Sequence, residues 1–115
     1  MSKKTVQVKE VMEITCLDLK KKMEASDPFV LIDVREPDEF ETCQIPGSIL
    51  IPFSELEDHL EELDKQGDYV LHCKMGGRSI EALAVMKHAG FDNVKILKGG
   101  IFQWVTQIDP SLSLY

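Results

Sequence analysis

Short, nearly continuous apolar runs recur along this chain, at Phe29-Val30-Leu31-Ile32, Ile49-Leu50-Ile51, Tyr69-Val70-Leu71-His72 and Val94-Lys95-Ile96-Leu97. Their brevity and lack of alternation fit strands covered on both faces. Between them the apolar spacing lengthens to three and four, the period of a helix. Thr15 opens one such segment as an N-cap with Asp18 as its capping-box partner; Cys16, Leu19 and Met23 form the stripe, and Asp27-Pro28 ends it. A short acidic helix with Phe40 inward is expected from Glu36 to Thr42, followed by a turn at Ile45-Pro46-Gly47. Ser54 and Glu57 read as a second capping box ahead of Leu56, Leu60 and Leu63, with Gly67 as the stop. Arg78 to Ala89 reads as a helix with Ile80, Leu83 and Ala84 inward and Gly90 beyond it. After a Gly99-Gly100 turn, a last helix from Ile101 to Ile108 places Trp104 in the core. The first dozen residues show no clear period.

Strands alternating with helices of about ten residues predict an α/β fold: a mostly parallel central sheet of four to five strands with helices on both faces. The 115 residues fit one domain, 1–115, with no repeat or linker. Ligands of such sheets sit at the C-terminal ends of the strands, so the residues after Ile32 and after His72 are the places to look for chemistry.

Composition narrows the function classes. Hydrophobic residues make up 43% and charged residues 29%, an ordinary globular balance. The formal net charge of −7 disfavours nucleic acid and anionic membrane as partners. From Glu36 to Asp68 the chain carries 11 acidic residues and one basic residue, Lys65, which reads first as a solvated face and second as a surface for a basic partner. Lys20-Lys21-Lys22 reads as a solvated helix face. No apolar run reaches the roughly 20 residues of a membrane span, and Met1-Ser2-Lys3-Lys4 leads into no signal-like stretch. Three cysteines, an odd number, point to a reducing, cytoplasmic setting. His59 and His88 have no partners at metal-ligand spacing, so no metal is expected.

The third run leads into Cys73-Lys74-Met75-Gly76-Gly77-Arg78-Ser79 and then a helix. The amides of a tight turn and of the first helical turn can converge on the cysteine sulfur, a geometry that favours an anion. Gly76 and Gly77 allow the backbone angles such a turn needs, and Lys74 and Arg78 add positive charge. The bland alternative is an inert buried cysteine beside a glycine turn.

This segment resembles the active-site loop of the rhodanese family of sulfurtransferases. Leu31-Ile32-Asp33-Val34-Arg35-Glu36-Pro37-Asp38-Glu39-Phe40, followed by Ile45-Pro46-Gly47, is similar to that family's N-terminal signature. Leu97-Lys98-Gly99-Gly100-Ile101 with Trp104 is similar to its C-terminal one, and the likeness covers about residues 13–108. More narrowly, the chain resembles the C-terminal rhodanese domain of molybdopterin-synthase adenylyltransferase/sulfurtransferases, whose endings are similar to Ile108-Asp109-Pro110-Ser111-Leu112 before Tyr115. The sequence departs from the family at Cys43-Gln44, where Gly-His is usual. Cys43 reads as a small turn residue or as a second, resolving thiol, and Cys16 as core filler.

The resemblance implies that Cys73 is the nucleophile and carries sulfane sulfur as a persulfide, with no other cofactor. The sulfur would come from a small anion such as thiosulfate or from a protein persulfide. The acceptor would be thiophilic, and in the narrower group a ubiquitin-like sulfur carrier whose activation is expected from another protein. Lys74, Met75, Gly76, Gly77, Arg78 and Ser79 would form the persulfide-holding loop. Asp33 and Arg35 would brace the site, through an Asp33–Arg78 ion pair. Two alternatives stand beside this: a non-catalytic binding module on the same fold, and a phosphatase-type enzyme. The spacing Cys73-x4-Arg78 makes a six-residue loop, tighter than the Cys-x5-Arg loop that seats a phosphate.

Overall fold

The computed structural model describes residues 12–112. The residues read for a signal stretch, Met1–Lys4, and the terminal Tyr115 lie outside them. Five strands form one sheet: β1 (Glu13–Ile14), β2 (Val30–Asp33), β3 (Ile49–Leu50), β4 (Tyr69–His72) and β5 (Val94–Leu97). Their order is β1-β5-β4-β2-β3, and every neighbouring pair is parallel. The expected parallel α/β sheet is therefore present, with β4 in its centre. β1 is an addition: two residues hold too little pattern to be read as a strand, yet Ile14 pairs with Leu97 at the sheet edge.

Side chains of adjacent strand residues point to opposite faces, so the sheet builds two cores. Ile32, Leu71, Cys73 and Ile96 face one layer, closed by helix α4 (Gly77–His88) through Ala82, Leu83 and Met86 and by Leu56 of the short helix α3 (Leu56–His59). Leu31, Val70 and Leu97 face the other, closed by Cys16 and Leu19 of helix α1 (Cys16–Glu24) and by Ile101 and Trp104 of helix α5 (Gly100–Gln107). Each fully buried Leu or Ile side chain in these layers contributes roughly 1.5–3 kcal/mol.

Several boundaries follow the local signals. The Thr15 side chain accepts the Asp18 amide at 3.1 Å, as an N-cap should. α1 ends at Glu24, and Ser26 then takes a left-handed φ of 58°, just ahead of Asp27-Pro28. Helix α2 (Pro37–Thr42) starts at a proline, as the first helical turn tolerates, and Phe40 within it is half-buried. Two expectations fail. No Ser54–Glu57 capping box forms, because Pro52 starts a 3-10 turn at Phe53–Glu55 and Ser54 falls inside it. Ile80 points outward, 41% exposed; the inward stripe of α4 runs through Ser79, Ala82, Leu83 and Met86 instead.

Candidate active site

The C-terminal ends of β2 and β4 lie side by side, with Asp33 in register with His72. The chain leaves β4 at Cys73 and turns within four residues into α4. Gly76 makes this possible with a φ of 129°, a conformation that side-chain-bearing residues rarely adopt. Its amide turns inward and donates to Cys73 Sγ at 3.0 Å. The Cys73 thiol also reaches the hydroxyl of buried Ser79 at 3.6 Å, and that hydroxyl donates to the Gly76 carbonyl at 3.0 Å. The sulfur therefore sits at the N-terminus of a helix of 12 residues, and the loop amide that reaches it is that of Gly76 rather than a converging set. The helix end adds a partial positive charge at this point. Cys73 is 1% exposed, so the loop covers the sulfur of its own cysteine. Beside Gly76 and Gly77 a Cβ would meet nothing within 4 Å, so the space along this part of the loop is open.

A second segment holds the loop from below. The amide of Ile101 donates to the Cys73 carbonyl at 2.9 Å, and that of Phe102 to the Lys74 carbonyl at 3.0 Å. The first turn of α5 thus satisfies its free N–H groups on the Cys73 loop itself. The approach is so close that a Cβ at Gly100 would lie 2.5 Å from the Lys74 carbonyl oxygen and 2.6 Å from that of Cys73. Reading the sequence as a turn at Gly99-Gly100 missed this role, although two glycines before a buried helix were the available signal.

The charged residues divide differently from expectation. Asp33 does not pair with Arg78. Its carboxylate accepts the Arg35 amide at 3.0 Å and grips the Arg35 guanidinium at 2.8 to 3.1 Å, with both residues buried. Arg35 continues to the Cys43 carbonyl. The reason is position. Asp33 and His72 follow Ile32 and Leu71 by one residue and so face the other side of the sheet from Cys73. Arg78 instead meets Glu39 of α2 through two hydrogen bonds of 2.7 and 3.1 Å. The Arg78 hydrogen bonds hold the Glu39 carboxyl down at about 2, and Glu39 in turn pushes the guanidinium further up. Glu39 was not singled out from the sequence. The signal was there, an acid in the first turn of a helix leaving the same sheet edge as the cationic loop.

His72, beside Cys73 in sequence, is fully buried, and neither ring nitrogen has a hydrogen-bond partner in the protein. Its Nε2 stands 3.7 Å from Asp33 Oδ2. Burial pulls its pKa down to about 4 against the opposing pull of Asp33, so the ring is neutral at physiological pH. Cys43 and Cys16 are buried in the layer opposite Cys73, and burial raises both thiols. Cys16 is core, as expected, and Cys43 packs across the sheet from the sulfur it was considered to resolve. Met75 is 66% exposed at the mouth of the loop. Among the described residues no helix is long and apolar enough to cross a membrane.

The chain is similar to known proteins in sequence and in fold. Residues 15–107 match the family described as Rhodanese-like domain. The chain is 39% identical over 104 residues to the probable adenylyltransferase/sulfurtransferase MoeZ of Mycobacterium tuberculosis, covering 89% of this chain and 26% of that protein. It thus spans about a quarter of that relative. The putative sulfurtransferase YtwF of Bacillus subtilis is 35% identical over 101 residues, covering 88% of this chain and 97% of YtwF. Among solved structures, a rhodanese-related protein from Thermoplasma volcanium superposes with a TM-score of 0.76 at 32% identity, covering 90% of this chain and 98% of that one. With a family match over residues 15–107 and a relative such as YtwF matched along nearly its whole length, the chain belongs to the rhodanese family.

Proposed function

We propose that this protein is a sulfurtransferase that carries sulfane sulfur on Cys73. The observation that carries the reading is the amide of Gly76 aimed at Cys73 Sγ from 3.0 Å, at the mouth of a helix. Donors fixed in this way hold an anion without reorganising during reaction. The Cys73 thiolate attacks the outer sulfur of a donor. With thiosulfate, a new S–S bond forms on Cys73, the donor's S–S bond breaks, and sulfite leaves with the electron pair. The product is a Cys73 persulfide anion, whose charge the Gly76 amide and the helix end offset. A nucleophilic acceptor then takes the terminal sulfur, and the thiolate returns.

Ser79 fits both states. With the thiol protonated, its hydroxyl accepts from sulfur and donates to the Gly76 carbonyl. With sulfur as the anion, the same hydroxyl can turn and donate to it. Because Cys73 is covered, the loop has to give way for sulfur to enter, and Gly76-Gly77 is where it has open space.

The likeness to MoeZ supports a relay in which the acceptor is a sulfur-carrier protein. The intact Cys73 and its amide donor argue against a purely binding module. The six residues from Cys73 to Arg78, with Arg78 engaged by Glu39, argue against a phosphatase.

Intact-mass spectrometry after incubation with thiosulfate tests the proposal. The chain should gain one sulfur atom that a reductant removes, and peptide mapping should place it on Cys73. Cys73→Ser should keep the fold and lose the adduct and all turnover. Turnover that survives this substitution would reject the mechanism.

A further inference from the structure

From Cys73 to Arg78 the loop carries two cations, Lys74 and Arg78, and no acid. Arg78 lies between Gly76 and Ser79 in the chain. Both of those residues touch Cys73 Sγ, the Gly76 amide at 3.0 Å and the Ser79 hydroxyl at 3.6 Å. The Cys73 charge accordingly acts on the Arg78 guanidinium. Lys74 follows Cys73 directly; it is half-buried, and its carbonyl accepts the Phe102 amide at 3.0 Å. Two cations placed in this way would draw an anionic donor toward the sulfur.

Glu39 changes that balance. Both terminal nitrogens of Arg78 donate to its carboxylate oxygens, at 2.7 and 3.1 Å, and both side chains are partly exposed. The Glu39 carboxyl is held down at about 2, so it is ionised at neutral pH. Glu36, at the N-cap of α2, adds a second negative charge that acts on the same guanidinium. The loop therefore carries two positive charges in sequence but meets two carboxylates in the fold. Arg78 and Glu39 together bring no net charge, and Glu36 opposes Lys74.

Resting on the persulfide reading above, we infer that Glu39 is a specificity-determining residue: by cancelling the Arg78 charge, it holds back small dianionic sulfur donors more than donors of lower charge. A potential acts on a dianion twice as strongly as on a monoanion. Thiosulfate and methanethiosulfonate make that comparison, since each delivers one sulfane sulfur and they differ by one charge. The Cys73 thiolate attacks the terminal sulfur of either. An S–S bond forms on Cys73, the donor's S–S bond breaks, and sulfite or methanesulfinate leaves with the electron pair. Any effect of Glu39 on the thiolate itself is common to both donors and drops out of their ratio.

The test uses the full chain at neutral pH and low ionic strength, and reads the rate of Cys73 persulfidation by intact mass with each donor. Glu39→Gln should speed loading from thiosulfate about tenfold and from methanethiosulfonate about threefold, so the ratio of the two rates rises about threefold. Added salt should shrink that rise. Glu39→Asp keeps the charge and loses the two-pronged fit, so its ratio should stay at the wild-type value even if its thermal midpoint falls. Equal factors for the two donors in Glu39→Gln, as a merely loosened α2 would give, would overturn the inference. So would a ratio that Glu39→Asp moves as far as Glu39→Gln does. A ratio lowered by Lys74→Gln and untouched by Glu39→Gln would overturn it too, by giving the donor charge to Lys74. Each of these results leaves the sulfurtransferase reading standing. Failure of the wild-type chain to gain sulfur on Cys73 from either donor would sink both readings.

Discussion

Arg78 and Glu39, 39 residues apart in sequence, close a two-pronged ion pair at 2.7 and 3.1 Å that ties α2 to the first turn of α4. The pair is partly exposed, so solvent screens much of its strength. Glu39→Gln should lower stability by about 1 kcal/mol at neutral pH. The Glu39 carboxyl ionises more readily folded than unfolded. Its contribution is therefore complete above its ordinary value of 4.5 and fades as pH falls toward about 2. Denaturation curves of wild type and variant should converge across that window. A constant gap between them at acid pH would show that the carboxylate charge is not what Arg78 holds.

Asp33 presents the opposite case, a charge with almost no water. Asp33→Asn leaves the buried Arg35 guanidinium without its counter-ion, which should cost about 3–5 kcal/mol. Asp33 faces away from Cys73. The folded fraction of the variant, measured at low temperature, should therefore still take up sulfur. Loss of turnover in fully folded protein would instead give Asp33 a part in the chemistry.

His72 makes stability depend on pH in a predictable direction. Its pKa is about 4 folded against 6.5 ordinarily, so the unfolded chain takes up a proton that the folded chain refuses. The stabilising share is whole above 6.5 and is lost as pH drops from there to about 4. The loss is on the order of 3 kcal/mol at most. His72→Leu removes the ionisable ring and should flatten this limb of the stability profile. A limb equally steep in the variant would place the acid sensitivity elsewhere.

The glycines of the site should separate by substitution. Gly77 lies at the start of α4, outside the left-handed region and with open space beside it, so Gly77→Ala should hold stability or raise it by about 0.5–1 kcal/mol. Gly100→Ala drives a methyl group into the Cys73 and Lys74 carbonyls and should destabilise by more than about 2 kcal/mol. Thermal melts of the two variants give the comparison directly. Equal midpoints would mean that α5 does not press on the loop as the geometry indicates.

Much of this was legible beforehand, for physical reasons. Buried parallel strands must be apolar throughout, so β2, β4 and β5 announce themselves. A cysteine between such a strand and a glycine-rich helix start points to its own cradle. What escaped depends on the third dimension. Whether Arg78 takes Asp33 or Glu39 depends on which side of the sheet each carboxylate faces, and spacing along the chain does not report it. Ile80 fitted an inward stripe until the sharp turn at Gly76 set the rotation of α4 and left Ser79 facing the sulfur. The hydrogen bonds from Ile101 and Phe102 to the loop link residues about thirty positions apart and leave only a pair of glycines as their trace.

Those bonds make the setting of Cys73 depend on a segment that follows it in the chain. A nascent chain that has reached Ala89 already contains the cysteine, its glycines and the helix above them, but nothing yet holds the carbonyls beneath. Only when Gly100, Ile101 and Phe102 emerge and dock does the cradle acquire its floor. Incomplete chains, stalled or cut short before α5, carry the Cys73 thiol without its finished setting.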